Sequence, residues 1–332
     1  MTSSEHQHLT TQWLCDGLAS HGVIVERCLG NTEFGEIFSG TLDVDQVPIV
    51  IKVHRSNDRD ELDELHAEAL KIKELNHPNV ESIHAIAIVE NCLCIACDEI
   101  DAPDIDAWLA GHSWEEESVL NLLKKLALTV HEIASKTNVI HGNLKPSNIA
   151  VIDNEPIILS YGLTPKSNWK FDKLQQDSNH YLMYRAPEQL ASSDGSVGSE
   201  RSVGEWTDGY GIGLIIYRLL TGSFPFSYVG KDTIDQIAYG RPKPPRQLNE
   251  DVPRNFEAIC CKALARRVVR RYSTALALYE DLDRYSKGEE IDAIGLHRDS
   301  LAKGCFVAFV LMVMGLSIVA GIIVWLATTT NT

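Results

Sequence analysis

The chain has 332 residues, 44% of them hydrophobic and 23% charged, with a formal net charge of −16 and eight cysteines. That length accommodates one large domain with short extensions, and an acidic balance without a dense Lys/Arg stripe excludes nucleic-acid binding, because phosphate contact needs clustered cations. Cysteines dispersed through a large chain read as reduced thiols in a cytosolic domain.

Residues 1–21 form an N-terminal extension with no Lys or Arg before Arg27 and no long apolar core, so no secretory signal is expected. From about Val23 to Leu93, short runs of alternating apolar and polar residues predict a small sheet. One helix interrupts it, Glu61 to Leu75, with Leu62, Leu65, Ala69, Ile72 and Leu75 on a common face. Cys92, Cys94 and Cys97 form a C-x-C-x-x-C string, but it lies on an apolar run that reads as a strand, and no second Cys/His pair follows at zinc spacing. From Ser113 the pattern becomes helical: Glu115 to Lys136, Thr207 to Leu220, Lys231 to Tyr239, Arg254 to Ala265 and Ala275 to Tyr285. Ser192 to Val203, rich in Ser and Gly, reads as a surface loop. Residues 287–304 are a polar linker, and Cys305 to Leu326 then runs without a charge for about 22 residues, roughly 33 Å as a helix and enough to cross a bilayer. His297, Arg298 and Lys303 precede it and a short tail, residues 327–332, follows. The positive-inside rule therefore predicts a single-pass, tail-anchored protein with its large domain on the cytoplasmic side.

The motifs lie between these ends. Val139-Ile140-His141-Gly142-Asn143-Leu144-Lys145-Pro146-Ser147-Asn148 matches H-R-D-x-K-x-x-N in spacing. Gly30-Asn31-Thr32-Glu33-Phe34-Gly35-Glu36-Ile37 stands where G-x-G-x-x-G-x-V belongs, and Ile49-Val50-Ile51-Lys52 matches V-A-I-K. Cys97-Asp98-Glu99-Ile100 occupies a hinge position, Ser160-Tyr161-Gly162 the D-F-G position, and Tyr184-Arg185-Ala186-Pro187-Glu188 resembles A-P-E. In this order and spacing, residues 22–286 resemble a protein kinase domain, closest in style to bacterial serine/threonine kinases. The resemblance implies an α+β, two-lobed fold, with a β-rich small lobe over about 22–97 and a helical large lobe over about 101–286. The bacterial style of the domain makes a bacterial inner membrane the expected place for the helix at 305–326.

Carried onto this sequence, the resemblance nominates Gly30, Gly35, Ile37, Val50, Asp98, Ile100 and Ala150 for a nucleotide, with Asp104 near a ribose hydroxyl. Lys52 is nominated for its α- and β-phosphates, paired with Glu68 of the helix. His141, Tyr161, Glu188, Asp208 and Arg271 are scaffold positions, with Tyr161 packing on His141, Arg271 pairing with Glu188 and Asp208 bracing the catalytic loop. The departures sit at the chemical centre. Asn143 replaces the aspartate that orients and deprotonates the substrate hydroxyl beside Lys145, and a carboxamide takes up no proton near neutral pH. Ser160 replaces the aspartate that binds magnesium, leaving Asn148 as a poor first shell, so ATP is the implied ligand and Mg2+ is ill provided for. Thr32 stands in place of the middle glycine, Tyr181 in place of a threonine, and Gly142 in place of an arginine, so Thr164, Ser167 and Ser178 make weak phosphoswitches. The expected function is a pseudokinase acting through protein partners in signalling. Two alternatives are a weakly active serine/threonine kinase and a nucleotide-binding switch without phosphoryl transfer. Homodimerisation is left open, because Gly315 and Gly321 miss the G-x-x-x-G spacing and Ser317 with Gly321 is only a generic small-xxx-small pair.

Overall fold

The computed structural model describes residues 12–32, 35–111, 115–164, 182–190, 203–227 and 232–294. The apolar segment 305–326, Glu33, Ser167, Ser178 and Tyr181 lie outside them. No helix among the described residues is long and apolar enough to cross a membrane.

The small lobe is a five-stranded antiparallel sheet in the order β1-β2-β3-β5-β4, built from β1 (Val23–Asn31), β2 (Glu36–Leu42), β3 (Pro48–Arg55), β4 (Ile83–Val89) and β5 (Cys92–Asp98). The side chains of β5 alternate between two apolar layers. Cys92, Cys94 and Ala96 join Phe38, Ile49 and Ile51, whereas Leu93, Ile95 and Cys97 join Leu62, Leu65 and Ala69. A strand covered on both faces reads as a continuous apolar run, which is why its three cysteines are buried thiols.

Two helices supply that cover. Helix α2 (Arg59–Leu75) begins at Asp58, whose Oδ1 accepts the amides of Asp60 and Glu61, and ends at Asn76 in the left-handed region. Helix α1 (residues 12–19) covers the opposite face. Its Leu14 and Leu18 are fully buried, so this part of the N-terminal extension belongs to the small-lobe core.

The large lobe is helical: α3 (Ile105–Gly111), α4 (Glu116–Thr137), α5 (Glu205–Thr221), α6 (Asp232–Tyr239), α7 (Arg254–Ala263) and α8 (Ala275–Ser286). Each helix predicted between residues 61 and 285 is present with ends displaced by at most two residues. One apolar core, carried by residues such as Leu126, Val130, Ile215, Ile216, Phe256 and Leu278, binds α4, α5, α7 and α8 together. Above it the hairpin β6 (Ile149–Ile152) and β7 (Glu155–Ile158) carries the motif loops on either side. Val80 bridges Ile158, tying the segment before β4 to the strand that leads into Ser160.

Candidate active-site cleft

The loop from His141 to Asn148 is held from below. Asp208 is fully buried on α5, and its carboxylate accepts the amides of His141 at 2.8 Å and Gly142 at 2.7 Å. Burial pushes its pKa up to about 7, against those two amide bonds, which favour the charged form. The His141 ring accepts from the Asn143 amide at Nδ1, which leaves Nε2–H to donate to the Leu159 carbonyl at 2.9 Å. The same ring meets Tyr161 edge to face, centroids 5.2 Å apart, as the sequence leads one to expect.

Gly142 adopts φ 69°, a left-handed conformation that glycine enters without strain. Its carbonyl accepts from Arg185 Nη1 at 3.2 Å and Gln189 Nε2 at 2.7 Å. Arg185, within the Tyr184-Arg185-Ala186-Pro187-Glu188 run, thus contacts the loop at the position where the arginine is missing, a contact that motif spacing did not single out. Behind it, Arg271 forks onto Glu188 at 2.7 and 2.8 Å, with both side chains almost wholly buried. Thr164 is buried and donates to the His141 carbonyl, so it is spent on structure.

The cleft between the lobes has a volume of about 260 Å3. Ile37, Val50, Lys52, Asp98 and Ile100 line its upper side, and Asn143, Asn148 and Ser160 line its lower side, as nominated. Other nominated residues stand off its described walls. Asp104 caps α3, its Oδ1 accepting the Ala107 amide at 2.8 Å. Ala150 is buried in the hairpin opposite Ile157. Gly35, at φ 147°, lets the β2 end approach β3: a Cβ there would fall 2.0 Å from the Val53 carbonyl oxygen. Gly30 sits beside a register shift between β1 and β2, and Lys145 is buried in its loop.

The largest correction concerns Lys52. Its ammonium donates to both oxygens of Glu81, each at 2.6 Å, and to Ser160 Oγ at 2.8 Å. Glu81, rather than Glu68, is its carboxylate partner. Glu81 Oε2 also accepts the Ser160 amide at 2.8 Å. Burial disfavours the charged lysine, yet the Glu81 carboxylate outweighs it and the Lys52 pKa is raised. Glu68 is half-buried on α2, and burial lifts its carboxyl to about 7. Ser160 holds φ 59°, unusual for a residue with a side chain and the kind of strain that a surrounding network must maintain. Glu81 was visible in the sequence only as a single carboxylate ahead of the apolar run Ile83–Val89.

Magnesium does not fit this arrangement. Ser160 Oγ accepts from Lys52, both Glu81 oxygens are engaged, and Asn148, whose Nδ2 donates to the Asn143 carbonyl, offers one neutral amide oxygen. A hard divalent cation needs several oxygen ligands with carboxylate among them. No cluster of His, Cys, Asp and Glu able to hold a metal occurs among the described residues.

Comparison with known proteins agrees with the architecture. The tyrosine-protein kinase MasK of Myxococcus xanthus is 27% identical over 282 residues, covering 79% of this chain and 42% of MasK. The probable serine/threonine-protein kinase PknB of Lactococcus lactis is 26% identical, covering 73% of this chain and 39% of its own length. The serine/threonine-protein kinase PrkC of Bacillus subtilis is 24% identical, with 70% and 36% covered. The chain therefore spans about two fifths of the length of these relatives. Residues 23–282 match the protein kinase domain, whose members generally bind ATP with Mg2+, and the chain belongs to that family.

Proposed function

We propose that this chain is a pseudokinase, a kinase fold that acts by binding a protein partner in signalling instead of transferring phosphate. The observation that carries the reading is the engagement of Lys52 by Glu81 and Ser160 where the fold would otherwise present a magnesium-binding aspartate. Phosphoryl transfer rests on positioning and on charge neutralisation by metal ions, with a base orienting the acceptor. Asn143 supplies no base, a loss of about 10²–10⁴-fold in rate. The braces formed by Asp208, Glu188 and Arg271 favour a maintained scaffold over a decaying one. A weakly active kinase would need a carboxylate free to hold a metal at the phosphate end, and Glu81 is bound to Lys52. The uncharged segment 305–326, with Arg298 and Lys303 before it, supports anchoring in a bacterial inner membrane with the kinase-like domain in the cytoplasm.

The test is γ-phosphate transfer by the full chain with Mg2+ or Mn2+, beside Lys52→Ala. No transfer is expected. Restoring Asn143→Asp and Ser160→Asp together sets a second carboxylate beside Glu81, where like charges oppose each other, so activity is expected only when Glu81→Val is added. Transfer by the native chain that Lys52→Ala abolishes overturns the reading.

A further inference from the structure

We propose that Glu81 makes this cleft selective against polyphosphates, so that it takes an uncharged, nucleoside-like heterocycle in preference to a nucleoside triphosphate. The inference rests on the pseudokinase reading of the same site. An ammonium has three donors, and all three of Lys52 are engaged, two with the Glu81 oxygens and one with Ser160 Oγ. A phosphate oxygen reaching Lys52 must displace one of these partners, and it meets the Glu81 carboxylate, which faces the cleft. Like charges in a partly desolvated site repel strongly.

Among the described cleft residues, little offsets that repulsion. The cations among the described cleft residues are Lys52 and Arg185, and Arg185 donates to the Gly142 carbonyl. The anions are Glu81 and Asp98, and the neutral pair Asn148 and Ser160 provides no seat for a divalent ion. The rest of the cleft is unlike this end. Ile37, Val50, Ile100 and Leu159 give it apolar walls suited to a flat ring, and its volume of about 260 Å3 lies below the ~300–1,000 Å3 usual for ligand pockets. A small ring system matches that space better than one carrying a triphosphate.

The experiment measures binding to the purified full chain, by thermal shift and by calorimetry, of adenosine, ATP with EDTA, and ATP with Mg2+. The native chain is expected to be stabilised by adenosine and not by either form of ATP. Glu81→Gln is expected to raise ATP affinity about tenfold or more while leaving adenosine affinity near its native value. Ser160→Gly relieves the left-handed strain and removes only the third partner of Lys52, so it keeps the test alive if the first variant misfolds; a smaller gain in the same direction is expected. ATP binding by the native chain as tight as adenosine binding, an unchanged ratio in both variants, or no binding of any of the three ligands overturns the proposal. Phosphate transfer measured on the same samples separates the two readings: native ATP binding without transfer removes only the selectivity, whereas native transfer removes the pseudokinase reading as well.

Discussion

Two buried ionic networks use the same chemistry to different ends. Below the catalytic loop, Glu188 and Arg271 pair with side chains 0% and 1% exposed, and the guanidinium also donates to the Ala265 and Arg266 carbonyls and lies over the Tyr210 ring. In the cleft, Lys52 and Glu81 pair with side chains 9% and 6% exposed, close to where a ligand would sit. The first network neutralises charge so that a loop keeps its shape. The second neutralises charge that a phosphate would otherwise use. On the pseudokinase reading, the fold keeps its architecture while the cleft changes its chemistry, because the large-lobe core does not depend on what Lys52 binds.

If the lower network is structural, breaking it should be costly whatever the cleft contains. Arg271→Ala leaves Glu188 buried without its guanidinium while the Thr207 hydroxyl still donates to it, and removing one partner of a buried pair costs about 3–5 kcal/mol. Urea denaturation should show a loss of that size, unchanged by adenosine or ATP. A loss under about 1 kcal/mol would place this pair with weak surface bridges and undo the contrast. A smaller effect is expected from Asp208→Asn. The amide keeps one acceptor but turns an NH2 toward one of the two backbone amides of His141 and Gly142, leaving a buried donor unsatisfied at about 1–3 kcal/mol. Amide exchange of the catalytic loop should rise in that variant while β1 to β5 keep their protection.

The same contrast explains what the sequence made legible. Asp208, Glu188, Arg271 and the His141–Tyr161 contact fall at fixed offsets within motifs, because they brace backbone whose path the fold determines. The helices were readable because their apolar faces repeat at 3.6 residues. Glu81 was not, since it falls outside every motif in the segment just before β4, and only the three-dimensional junction of Val80 with Ile158 brings it to Ser160. Helix α1 escaped for a simpler reason: two buried leucines four apart in a short polar segment are too weak a period to separate from a surface turn. At Asp104 the sequence does not separate a cap from a ligand contact, because a carboxylate at a helix start serves equally well as either.

The finest test concerns the carboxylate that the cleft did not use. Glu68 is lifted by burial from the ordinary range to about 7, whereas in an unfolded chain it titrates near 4.5. Between those values the folded state binds more protons than the unfolded one, so stability is fully present below about 4.5 and falls as pH rises toward about 7. Asp208, raised from 3.8 to about 7, contributes a slope of the same sign from the lower network. Glu68→Gln should therefore flatten part of the stability decline across this window, leave the part due to Asp208, and give a chain that is relatively more stable than native near neutral pH. Were Glu68 instead the partner of Lys52, its folded pKa would be depressed, stability would fall with acid, and the substitution would cost most at neutral pH. Unfolding free energies of the native and Glu68→Gln chains at pH 5 and pH 7 decide between these signs, and with them which glutamate holds the lysine.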